Sequence, residues 1–582
     1  MIPTIQTLPI DVVHLIAAGE VIDSLAAVVR ELVENALDAN ATRIHVVLDP
    51  ECWRVRVTDN GTGMSLDDLQ SAASPHSTSK IQNRDDLWKI TSLGFRGEAL
   101  HSLAQLANLE ICSQQTDAEA GWRVCYDSTG QPIQTETVAI APGTIVTAHD
   151  VFGGWAARRQ GLPSLSQQLR SVQSTIQHLA LCHPRVTWTV EQGDRPWFSI
   201  WSGDTAQDIL PQLIRDVQIS DVQELVISPA TEKQTTHPPE DFHSLTAPAL
   251  YLLVGRPDRC HRHRTDWICV AINGRVVRSP ELEQTIMGAF RRTLPRDRHP
   301  VCFVHLRVHS NQVDWNRHPA KTDVYLHEME RWRIQVTNAI HQALRLDPTN
   351  LSDAAHSNRI GQVIKVAEAT GAYRTSRSIS EPSDGASTRE SESSSTVNSP
   401  ALHTSLKAIA QVHQMYILAE YPTGMWLIEQ HIAHERVIYE QLCDRWHVVP
   451  IETPIILNQL LQAQVDQLRR LNLDVDEFGE HLWAVRSVPA SLAERGDCAD
   501  ALIELSLGGD LNAALVATAC RTAIRNGIPL GHAEMQTLVN QWQQTRNPHT
   551  CPHGRPIYLS LEESSLSRFF RRHWVIGKSH GI

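Results

Sequence analysis

The stretch of sequence that decides the fold begins with VVRELVENAL at residues 28–37. Apolar residues recur in it with helical spacing, which gives the predicted helix one broad apolar face. Two runs then alternate apolar and polar residues, RIHVVL at 43–48 and RVRVT at 54–58, as strands of a half-buried sheet do. The turn DNGTG at 59–63 ends the second strand. A helix followed by a strand pair and a glycine-rich turn predicts an α/β sandwich.

Polar residues form a stripe on the other side of this helix. Glu31, Asn35 and Asp38 are spaced at i, i+4 and i+7 and therefore share one face. For three polar residues alone, a solvated helix face is the better explanation. The next turn favours a ligand site, because Asp59 can accept a hydrogen bond from the amino group of a base and the glycines let the backbone approach a ligand closely.

Two further segments complete a phosphate-binding pattern. Thr78-Ser79-Lys80 is followed by SLGFRGEAL at residues 92–100. A glycine-rich turn that runs into a helix start presents free N–H groups and the positive end of the helix dipole to phosphates. Each segment alone is a weak signal, but four of them in this order between residues 31 and 100 are a strong one.

These segments together resemble the ATP-binding motifs of the MutL family of DNA mismatch-repair proteins. That family belongs to the GHKL-type ATPase superfamily, which it shares with type II topoisomerases, heat-shock chaperones and histidine kinases. The resemblance covers essentially the whole chain outside one serine-rich segment and implies a GHKL-type α/β sandwich. The segments that carry it are AAGEV at 17–21, ELVENALDA at 31–39, DNGTG at 59–63, TSK at 78–80, GFRGEAL at 94–100, VAINGR at 270–275 and VDWNRHPAK at 313–321.

The resemblance also implies roles for individual residues. Glu31 is expected to be the general base that activates the attacking water, and Asn35 to hold Mg²⁺ on the phosphates of ATP. Asp59 is expected to recognise the adenine amino group, and Lys321 to contact the γ-phosphate from a second domain. The other expected ATP-binding residues are Gly61, Gly63, Thr78, Ser79, Lys80, Gly94, Phe95, Arg96, Gly97 and Glu98.

Three positions depart from the usual pattern of that family. Ser24-Leu25 stands where Arg-Pro is usual, Pro75 where an Arg precedes the lid histidine, and Gly154-Trp-Ala-Ala-Arg158 where Asn-x-Pro-Ala-Arg is usual. None of them falls on the inferred catalytic groups, so we expect ATP binding and slow hydrolysis. Pro75 can stiffen or shorten the lid.

Composition bounds the class of protein. The chain has 582 residues, 42% hydrophobic and 20% charged, with a formal charge of −13, which is typical of a soluble multidomain protein. No run approaches the ~18 consecutive apolar residues of a membrane span. The eleven scattered cysteines do not form a disulfide framework and fit a reducing compartment. With no export signal at the start, we expect a cytoplasmic, nucleoid-associated protein without a membrane partner.

A serine-rich segment divides the chain. Residues 375–400 read TSRSISEPSDGASTRESESSSTVNSP, which contains too little apolar surface to offset the entropy of ordering. We therefore expect a disordered linker over 346–402. The expected domains around it are an ATPase domain at 1–205, a second α/β transducer domain at 206–345 and an α/β dimerisation and endonuclease-like domain at 403–582.

The last of these domains contains candidate metal ligands. A predicted strand at 425–428 runs into EQHIAHERVIYE at 429–440, where His431 and Glu435 lie one helical turn apart. Cys551 and His553 stand two apart in a Pro/Gly loop, and thiolate with imidazole suits Zn²⁺. From Cys551 and His553 alone, a purely structural role is about as well supported, because 29 histidines make chance proximity common.

These C-terminal segments resemble the motifs of MutL proteins that carry a nicking endonuclease. The resemblance implies metal ligands at His431, Glu435, Cys551 and His553, and it implies Zn²⁺ together with Mn²⁺. It also places Cys520 and Glu429 at the metal and gives Glu429 and Glu435 catalytic roles. Two departures bear on geometry, since the leading Asp of the family is Glu429 and its Ala is Ile432.

Partners follow from charge and from the resemblance. Residues 255–307 carry eleven Lys/Arg against five Asp/Glu. This favours binding to the backbone of double-stranded DNA, with a solvated basic face as the alternative. The resemblance implies a homodimer and a MutS-type mismatch-recognition protein. The segment RWHVVP at 445–450 is a candidate for binding a sliding clamp, but it lacks the usual Gln, and a buried strand end explains it at least as well.

The leading hypothesis is therefore an ATP-regulated, metal-dependent endonuclease of mismatch repair. The alternative is a nuclease-deficient matchmaker that couples mismatch recognition to later repair factors. A topoisomerase subunit or a histidine kinase is disfavoured, because the chain shows neither a strand-passage module nor a phosphoacceptor-helix pattern.

Overall fold

The computed structural model describes residues 9–81, 92–94, 97–228, 248–314, 324–345, 406–421, 424–444, 446–479, 481–490, 492–493, 496–507 and 510–562. The predicted linker at 346–402 lies outside these residues, as do Phe95, Arg96 and Lys321. The chain forms two compact units. The first comprises Met1–Gly255, Arg259–Phe290 and His299–Ala343, and the second comprises Arg256–Asp258, Arg291–Arg298 and Leu344–Ile582.

An eight-stranded sheet is the main element of the first unit. Its strands are β1 (Arg43–Asp49), β2 (Arg54–Asp59), β3 (Asn108–Gln114), β4 (Gly121–Tyr126), β5 (Pro132–Val138), β6 (Gly143–His149), β7 (Thr187–Gln192) and β8 (Arg195–Ile200). They run in the order β5-β4-β3-β6-β2-β1-β7-β8. All neighbours are antiparallel except β1 and β7, which pair in parallel with Arg43 opposite Thr187.

Among the described residues, seven α-helices accompany this sheet along the chain. They are α1 (Ile10–Val21), α2 (Leu25–Asp38), α3 (Leu66–Ser71), α4 (Ala99–Leu106), α5 (Ala156–Gly161), α6 (Leu165–Cys182) and α7 (Ala206–Leu213). The predicted apolar face of α2 is buried in the core, with Val28, Val29 and Val33 each 0% exposed. The helix begins earlier than the apolar pattern predicts, because Ser24 accepts a hydrogen bond from the N–H of Ala27 and caps it.

A second, five-stranded sheet follows in the same unit and shares its hydrophobic core. The order is β13-β12-β15-β10-β9, in which β12 and β15 are parallel. The strands of this region are β9 (Val222–Ile227), β10 (Ala249–Gly255), β11 (His261–Arg262), β12 (Ile268–Ile272), β13 (Arg275–Val277), β14 (His299–Pro300), β15 (Cys302–Arg307), β16 (Val313–Asp314) and β17 (Tyr325–Leu326). Helices α8 (Pro280–Ala289) and α9 (Met329–Ala343) accompany them. Tyr251, Cys269 and Phe303 of this sheet belong to the same buried cluster as Val33 of α2.

The second unit contains two smaller sheets. Their strands are β18 (Lys407–Val412), β19 (Tyr416–Tyr421), β20 (Gly424–Glu429), β21 (Val448–Asn458), β22 (Val475–Gly479), β23 (Leu482–Pro489) and β24 (Tyr558–Glu562). One sheet has the order β18-β19-β20-β24 and the other β21-β23-β22. The helices are α10 (Gln430–Asp444), α11 (Gln462–Arg470), α12 (Cys498–Leu507), α13 (Leu511–Thr522) and α14 (His532–Gln543).

Aromatic packing holds the four-stranded sheet together. Trp426 of β20 stacks on Tyr558 of β24 with ring centroids 4.4 Å apart, and Trp542 of α14 packs edge-on against both. Burial of large aromatic surfaces is a main source of stability in a domain of this size. The pairing places β24 beside β20, so the end of the chain that follows Cys551 returns to the strand that precedes α10.

The mixed helix and strand content confirms the predicted α/β class. The candidate clamp segment opens β21, where Val448 and Val449 are half-buried and Pro450 is exposed, and Arg445 lies outside the described residues. Among the helices that the structure describes, none is by itself long and apolar enough to cross a membrane, while the bent pair Val12–Val21 and Leu25–Asp38 meets that criterion jointly.

Candidate nucleotide-binding and metal sites

The polar stripe of α2 forms one wall of the candidate nucleotide site. Glu31 is 3% exposed and lies 3.6 Å from the guanidinium of Arg30. Asn35 and Asp38 are partly exposed and follow one and two turns later. Glu31 is thus almost completely buried, while the polar groups beside it are partly exposed. This environment suits a carboxylate that contacts water only at the edge of a ligand site.

Asp38 connects this helix to the predicted phosphate-binding segments. Its two oxygens accept hydrogen bonds from the N–H groups of Leu93 and Gly94, both at 2.8 Å, and it forms an ion pair with Lys80. The Lys80 ammonium also lies 3.5 Å from Oδ1 of Asn35. We call residues 92–94 the phosphate loop. Lys80 and Gly94, which the sequence placed in one site, are therefore brought to the side of Asn35.

The turn after β2 has the backbone geometry that a close ligand requires. Asp59 accepts a hydrogen bond from the N–H of Gly61 at 2.8 Å. Burial raises the pKa of Asp59, while hydrogen bonds from the backbone of Gly61 and Thr144 oppose the rise. Gly63 has φ +69°, and a Cβ there would lie 2.1 Å from the carbonyl oxygen of Gln114. Only glycine fits that position.

The segment before α4 is equally restricted. Gly97 has φ +64°, and a Cβ there would lie 2.5 Å from the carbonyl oxygen of Ser77. Lys80 N–H donates to the Thr78 hydroxyl at 3.2 Å, while Ser79 is exposed. Glu98 stands at the N-terminus of α4, 3.4 Å from the ring of His76.

These groups fit a nucleotide with a divalent cation. The carboxylate at the strand end matches a base amino group, and the amide oxygen matches a cation. The lysine and the glycine backbone match phosphates. Asp38 was part of the predicted stripe, but no sequence pattern connects it with the phosphate loop.

In the second unit, two groups of ligand-type side chains share Glu435. One group is His431, Glu435 and Cys520, and the other is Glu435, Cys551 and His553. Within each group the ligand atoms all lie within 4.8 Å of one another. The structure thus brings together five of the six residues predicted to hold metal in this domain.

The ring of His431 is oriented for coordination through one nitrogen. Nδ1 donates to the carbonyl oxygen of Ile524 at 2.9 Å, which leaves Nε2 facing the sulfur of Cys520 at 4.0 Å. A hydrogen bond of this kind fixes the tautomer of a metal-binding histidine. Ile524 follows α13, the helix that carries Cys520, so one contact aligns both residues.

Helix α10 also positions the loop that carries the other ligands. Arg436 donates through Nε to the carbonyl oxygen of Thr550 at 2.7 Å, and Glu440 accepts from the N–H groups of Arg546 at 2.7 Å and Asn547 at 3.2 Å. Both side chains are buried. The helix that carries His431 and Glu435 therefore holds the segment leading to Cys551.

Strong charge coupling surrounds Glu435, which is fully buried. Its oxygens lie 2.6 Å from Nδ1 of His553 and 3.0 Å from Nη2 of Arg555. Burial opposes ionisation, but the hydrogen bond from His553 and the positive charges of His553 and Arg555 lower the pKa of Glu435. Hydrogen bonds to Cys551 and Glu435 raise the pKa of His553 to about 9.

The surroundings of Cys551 favour the thiolate form of its side chain, which is the form that coordinates a metal. Burial opposes its ionisation, yet hydrogen bonding by His553 lowers its pKa below the usual value. Thiolates rather than thiols bind zinc. By contrast, burial and the charge of Glu435 raise the pKa of Cys520.

Glu429 takes a different position from the other predicted ligands. Its Oε2 accepts a hydrogen bond from the N–H of Ile432 at 2.5 Å, at the start of α10. Its Oε1 is buried and has no hydrogen-bond partner among the described residues. An orphaned carboxylate oxygen suits a cation, so the donor set of this region fits a metal. Arg555 was not predicted as a site residue, although its place in CPHGRP was a signal.

Comparison with known proteins follows the same division of the chain. Residues 23–144 match the family described as histidine kinase-, DNA gyrase B-, and HSP90-like ATPase. Residues 236–345 match the DNA mismatch repair protein, C-terminal domain, and residues 409–530 match the MutL C terminal dimerisation domain. The chain therefore contains an ATPase domain and a dimerisation domain.

Similar proteins extend over the whole length. The DNA mismatch repair protein MutL of Nostoc punctiforme is 57% identical over 584 residues, covering 100% of both chains. The MutL of Nostoc sp. is 58% identical with the same coverage, and that of Brucella melitensis is 29% identical over 98% of this chain and 100% of its own. With identity of this level from end to end, the resemblance inferred from the motifs is confirmed, and the chain belongs to the MutL family of DNA mismatch-repair proteins.

Proposed function

We propose that this protein couples ATP binding and slow hydrolysis in the first unit to metal-dependent nicking of DNA by the second. The observation that carries the proposal is Glu435, which is shared by two groups of ligands with donor types suited to metal ions. In this proposal, nucleotide-driven closure of a homodimer on double-stranded DNA regulates the nicking of the strand to be repaired.

In the nucleotide site, the bound ATP and Mg²⁺ supply the phosphoryl group and the cation that neutralises its charge. Glu31 orients the attacking water and accepts its proton, a role that suits a carboxylate 3% exposed beside Arg30. Asn35 holds the cation, and Lys80 with the N–H groups of the phosphate loop compensates phosphate charge. Asp59 binds the base. Lys321 is expected to approach the γ-phosphate.

In the metal site, Cys551, His553, His431 and Cys520 offer the soft ligands that Zn²⁺ prefers. Glu435 and Glu429 offer oxygens for a harder ion such as Mn²⁺, which when bound polarises the phosphodiester and activates water. Arg555 holds one oxygen of Glu435 at 3.0 Å and so fixes the rotamer of the shared ligand. Two buried side chains of α10, Arg436 and Glu440, hold the segment that leads to Cys551.

One observation favours the alternative, a nuclease-deficient matchmaker. The carboxylate of Glu429 caps α10 through the N–H of Ile432, and Ile432 packs partly against the core of the four-stranded sheet. A carboxylate engaged in capping is less free to reach a second ion. In the matchmaker, the same ligands bind zinc for stability, and ATP only controls recruitment of partners.

The expected partners belong to the same proposal. Double-stranded DNA, a MutS-type mismatch-recognition protein and a second copy of this chain are expected to bind, and a sliding clamp to contact residues 445–450. We expect the protein to act in the cytoplasm at the nucleoid. Of the basic run at 255–307, Arg256 and Arg275 are buried and do not contribute to a DNA-binding surface.

The deciding experiment uses the full-length chain with supercoiled plasmid. Wild-type protein is expected to contain zinc by elemental analysis and to nick the plasmid when Mn²⁺ is added, with a rate that changes on adding ATP. Glu435→Gln, which keeps the shape of the side chain but removes its charge, is expected to abolish nicking. Glu420→Gln is the matched control, since Glu420 is exposed on β19 of the same unit.

Two results would decide against nicking. Protein that contains zinc but leaves the plasmid intact throughout a Mn²⁺ titration supports the matchmaker, and protein that contains no zinc contradicts the proposed metal site. Nicking that persists in Glu435→Gln at the wild-type rate points to a contaminating nuclease or to a site elsewhere.

A further inference from the structure

A buried ion pair joins helix α2 to the second sheet of the first unit. Nη2 of Arg275, the first residue of β13, donates to Oε2 of Glu34 at 3.0 Å. The two side chains are only 5% and 2% exposed. Charges in such surroundings must be paired and hydrogen bonded, so this contact fixes where the strand meets the helix.

Glu34 lies on the same helix as the nucleotide-site residues, at the edge of their stripe and rotated about 60° from Glu31. It follows Glu31 by three positions and directly precedes Asn35. Because successive residues of a helix point in directions about 100° apart, Glu34 faces β13 while Asn35 faces Lys80. An anchor at Glu34 therefore sets the rotation of α2 about its axis, and with it the position of Glu31.

The turn that precedes Arg275 also meets the phosphate loop. Asn273 and Gly274 have φ of +48° and +83°, which is the conformation of a tight hairpin turn. A Cβ at Gly274 would lie 3.7 Å from Cδ2 of Leu93. The N–H of Leu93 donates to Asp38, so the turn lies beside a loop residue that is itself hydrogen bonded to α2.

The same turn is fixed to the second sheet by its own hydrogen bonds. The side chain of Asn273 donates to the carbonyl oxygen of Val308 at 3.0 Å and accepts from its N–H at 2.9 Å. The N–H of Gly274 donates to Nε2 of His305 at 2.8 Å. Any displacement of the end of β15 is therefore passed to the turn, and from the turn to α2.

We infer that Arg275 is a positioning residue for ATP hydrolysis, and that its pair with Glu34 links nucleotide binding on α2 to the second sheet. The inference rests on the proposed nucleotide site. Its effect passes through α2 and falls mainly on turnover. Affinity is spread over many contacts, whereas activation of water depends on the placement of the one carboxylate of Glu31.

The first test compares steady-state ATP hydrolysis by full-length variants. Arg275→Met is expected to lower kcat at least tenfold while KM for ATP changes less than threefold. Arg275→Lys keeps the charge and is expected to recover most of the lost rate. Arg159→Met, which breaks the 2.8 Å ion pair with Asp150 in the same unit, is the matched control and should leave kcat unchanged.

The second test measures the link itself by amide hydrogen exchange with and without a non-hydrolysable ATP analogue. In the wild-type chain the analogue is expected to slow exchange in α2 and also in β12 and β13. In Arg275→Met the protection should remain in α2 and disappear from β12 and β13. Equal protection of both regions in the variant, or a wild-type kcat, overturns the inference.

Two further variants keep the outcome interpretable. Asn35→Ala tests the nucleotide site, and if it binds the analogue normally, then the proposed site is wrong. If Asn35→Ala loses binding while Arg275→Met behaves like wild type, only the present inference fails. Should Arg275→Met not fold, Glu34→Met/Arg275→Met removes the unpaired buried charge, and the same loss of kcat and of protection in β12 and β13 is expected of it.

Discussion

The candidate nucleotide site and the proposed metal site differ in how they are built. The candidate nucleotide site takes Glu31, Asn35 and Asp38 from one helix and is completed by backbone, at positions where Gly63 and Gly97 exclude any side chain. The ligand-type groups of the proposed metal site are side chains from α10, the end of α13 and the loop at 551–555. We therefore expect the nucleotide site to be disrupted by added side-chain atoms, and the metal site by substitution of a ligand residue.

The largest effect is expected at the base of the nucleotide site. Glu31→Ala should still bind ATP but hydrolyse it about 10²-fold more slowly, because a positioned general base commonly contributes that much. Asn35→Ala should lose binding. Glu51→Ala, an exposed residue of the same unit, serves as the control. Single-turnover hydrolysis with separate measurement of nucleotide binding checks both, and a wild-type rate in Glu31→Ala removes that residue from the mechanism.

The metal site should respond to pH rather than to added volume. His553 retains its proton up to a pKa of about 9 through its bonds to Cys551 and Glu435, so Zn²⁺ has to displace that proton. Cys520, whose pKa is raised above its usual value, also has to lose its proton to bind zinc. Zinc affinity is therefore expected to fall about 100-fold per pH unit from pH 9 down to pH 7. Calorimetry in buffers of different ionisation enthalpy should show about two protons released per zinc bound. Binding without proton release would contradict the assignment of His553.

Backbone dependence of the nucleotide site predicts a smaller but specific effect. Gly97→Ala places a side chain at φ +64° and a Cβ 2.5 Å from the Ser77 carbonyl. The left-handed conformation alone costs about 1–2 kcal/mol, so ATP affinity should fall about tenfold. Gly154→Ala is the control, since a Cβ there meets nothing within 4 Å. Equal affinities of the two variants would show that the loop tolerates added volume.

The smallest effect is expected at Glu429. Glu429→Asp shortens the carboxylate to the length usual in the family, and aspartate is a good helix cap, so α10 should remain intact. Nicking is expected to stay within threefold of wild type or to rise. A loss of nicking larger than tenfold at unchanged thermal stability would show that this chain depends on the longer side chain.

The sequence was most informative where the site is contiguous. The apolar spacing of 28–37 and the glycine turn at 59–63 specify a helix and a strand end by local rules, and both are found in the structure. Contacts between distant segments produce no comparable pattern in the sequence. Glu34 pairs with Arg275, and nothing in the spacing of either residue indicates the other.

The C-terminal ligands show the same limit. His431 and Glu435 were placed on one face by helical spacing, and their meeting with Cys520, Cys551 and His553 was expected only from the resemblance. The capping role of Glu429 depends on one hydrogen bond to Ile432, which no pattern distinguishes from a carboxylate that faces solvent. Side-chain direction within a segment, rather than the segment itself, was the unpredictable part.

The parallel pairing of β1 with β7 has a consequence for synthesis on the ribosome. Arg43 is paired with Thr187, so the large sheet cannot be completed until all the residues between them have been made. Until then β1 has an open edge, and nascent chains with such edges are prone to mispairing. Non-local strand pairing of this kind also slows folding, because the intervening chain must close into a loop before the stabilising contacts between the strands can form. Of the two strands that flank β1, β2 is thus available at once, whereas β7 is made about 140 residues later.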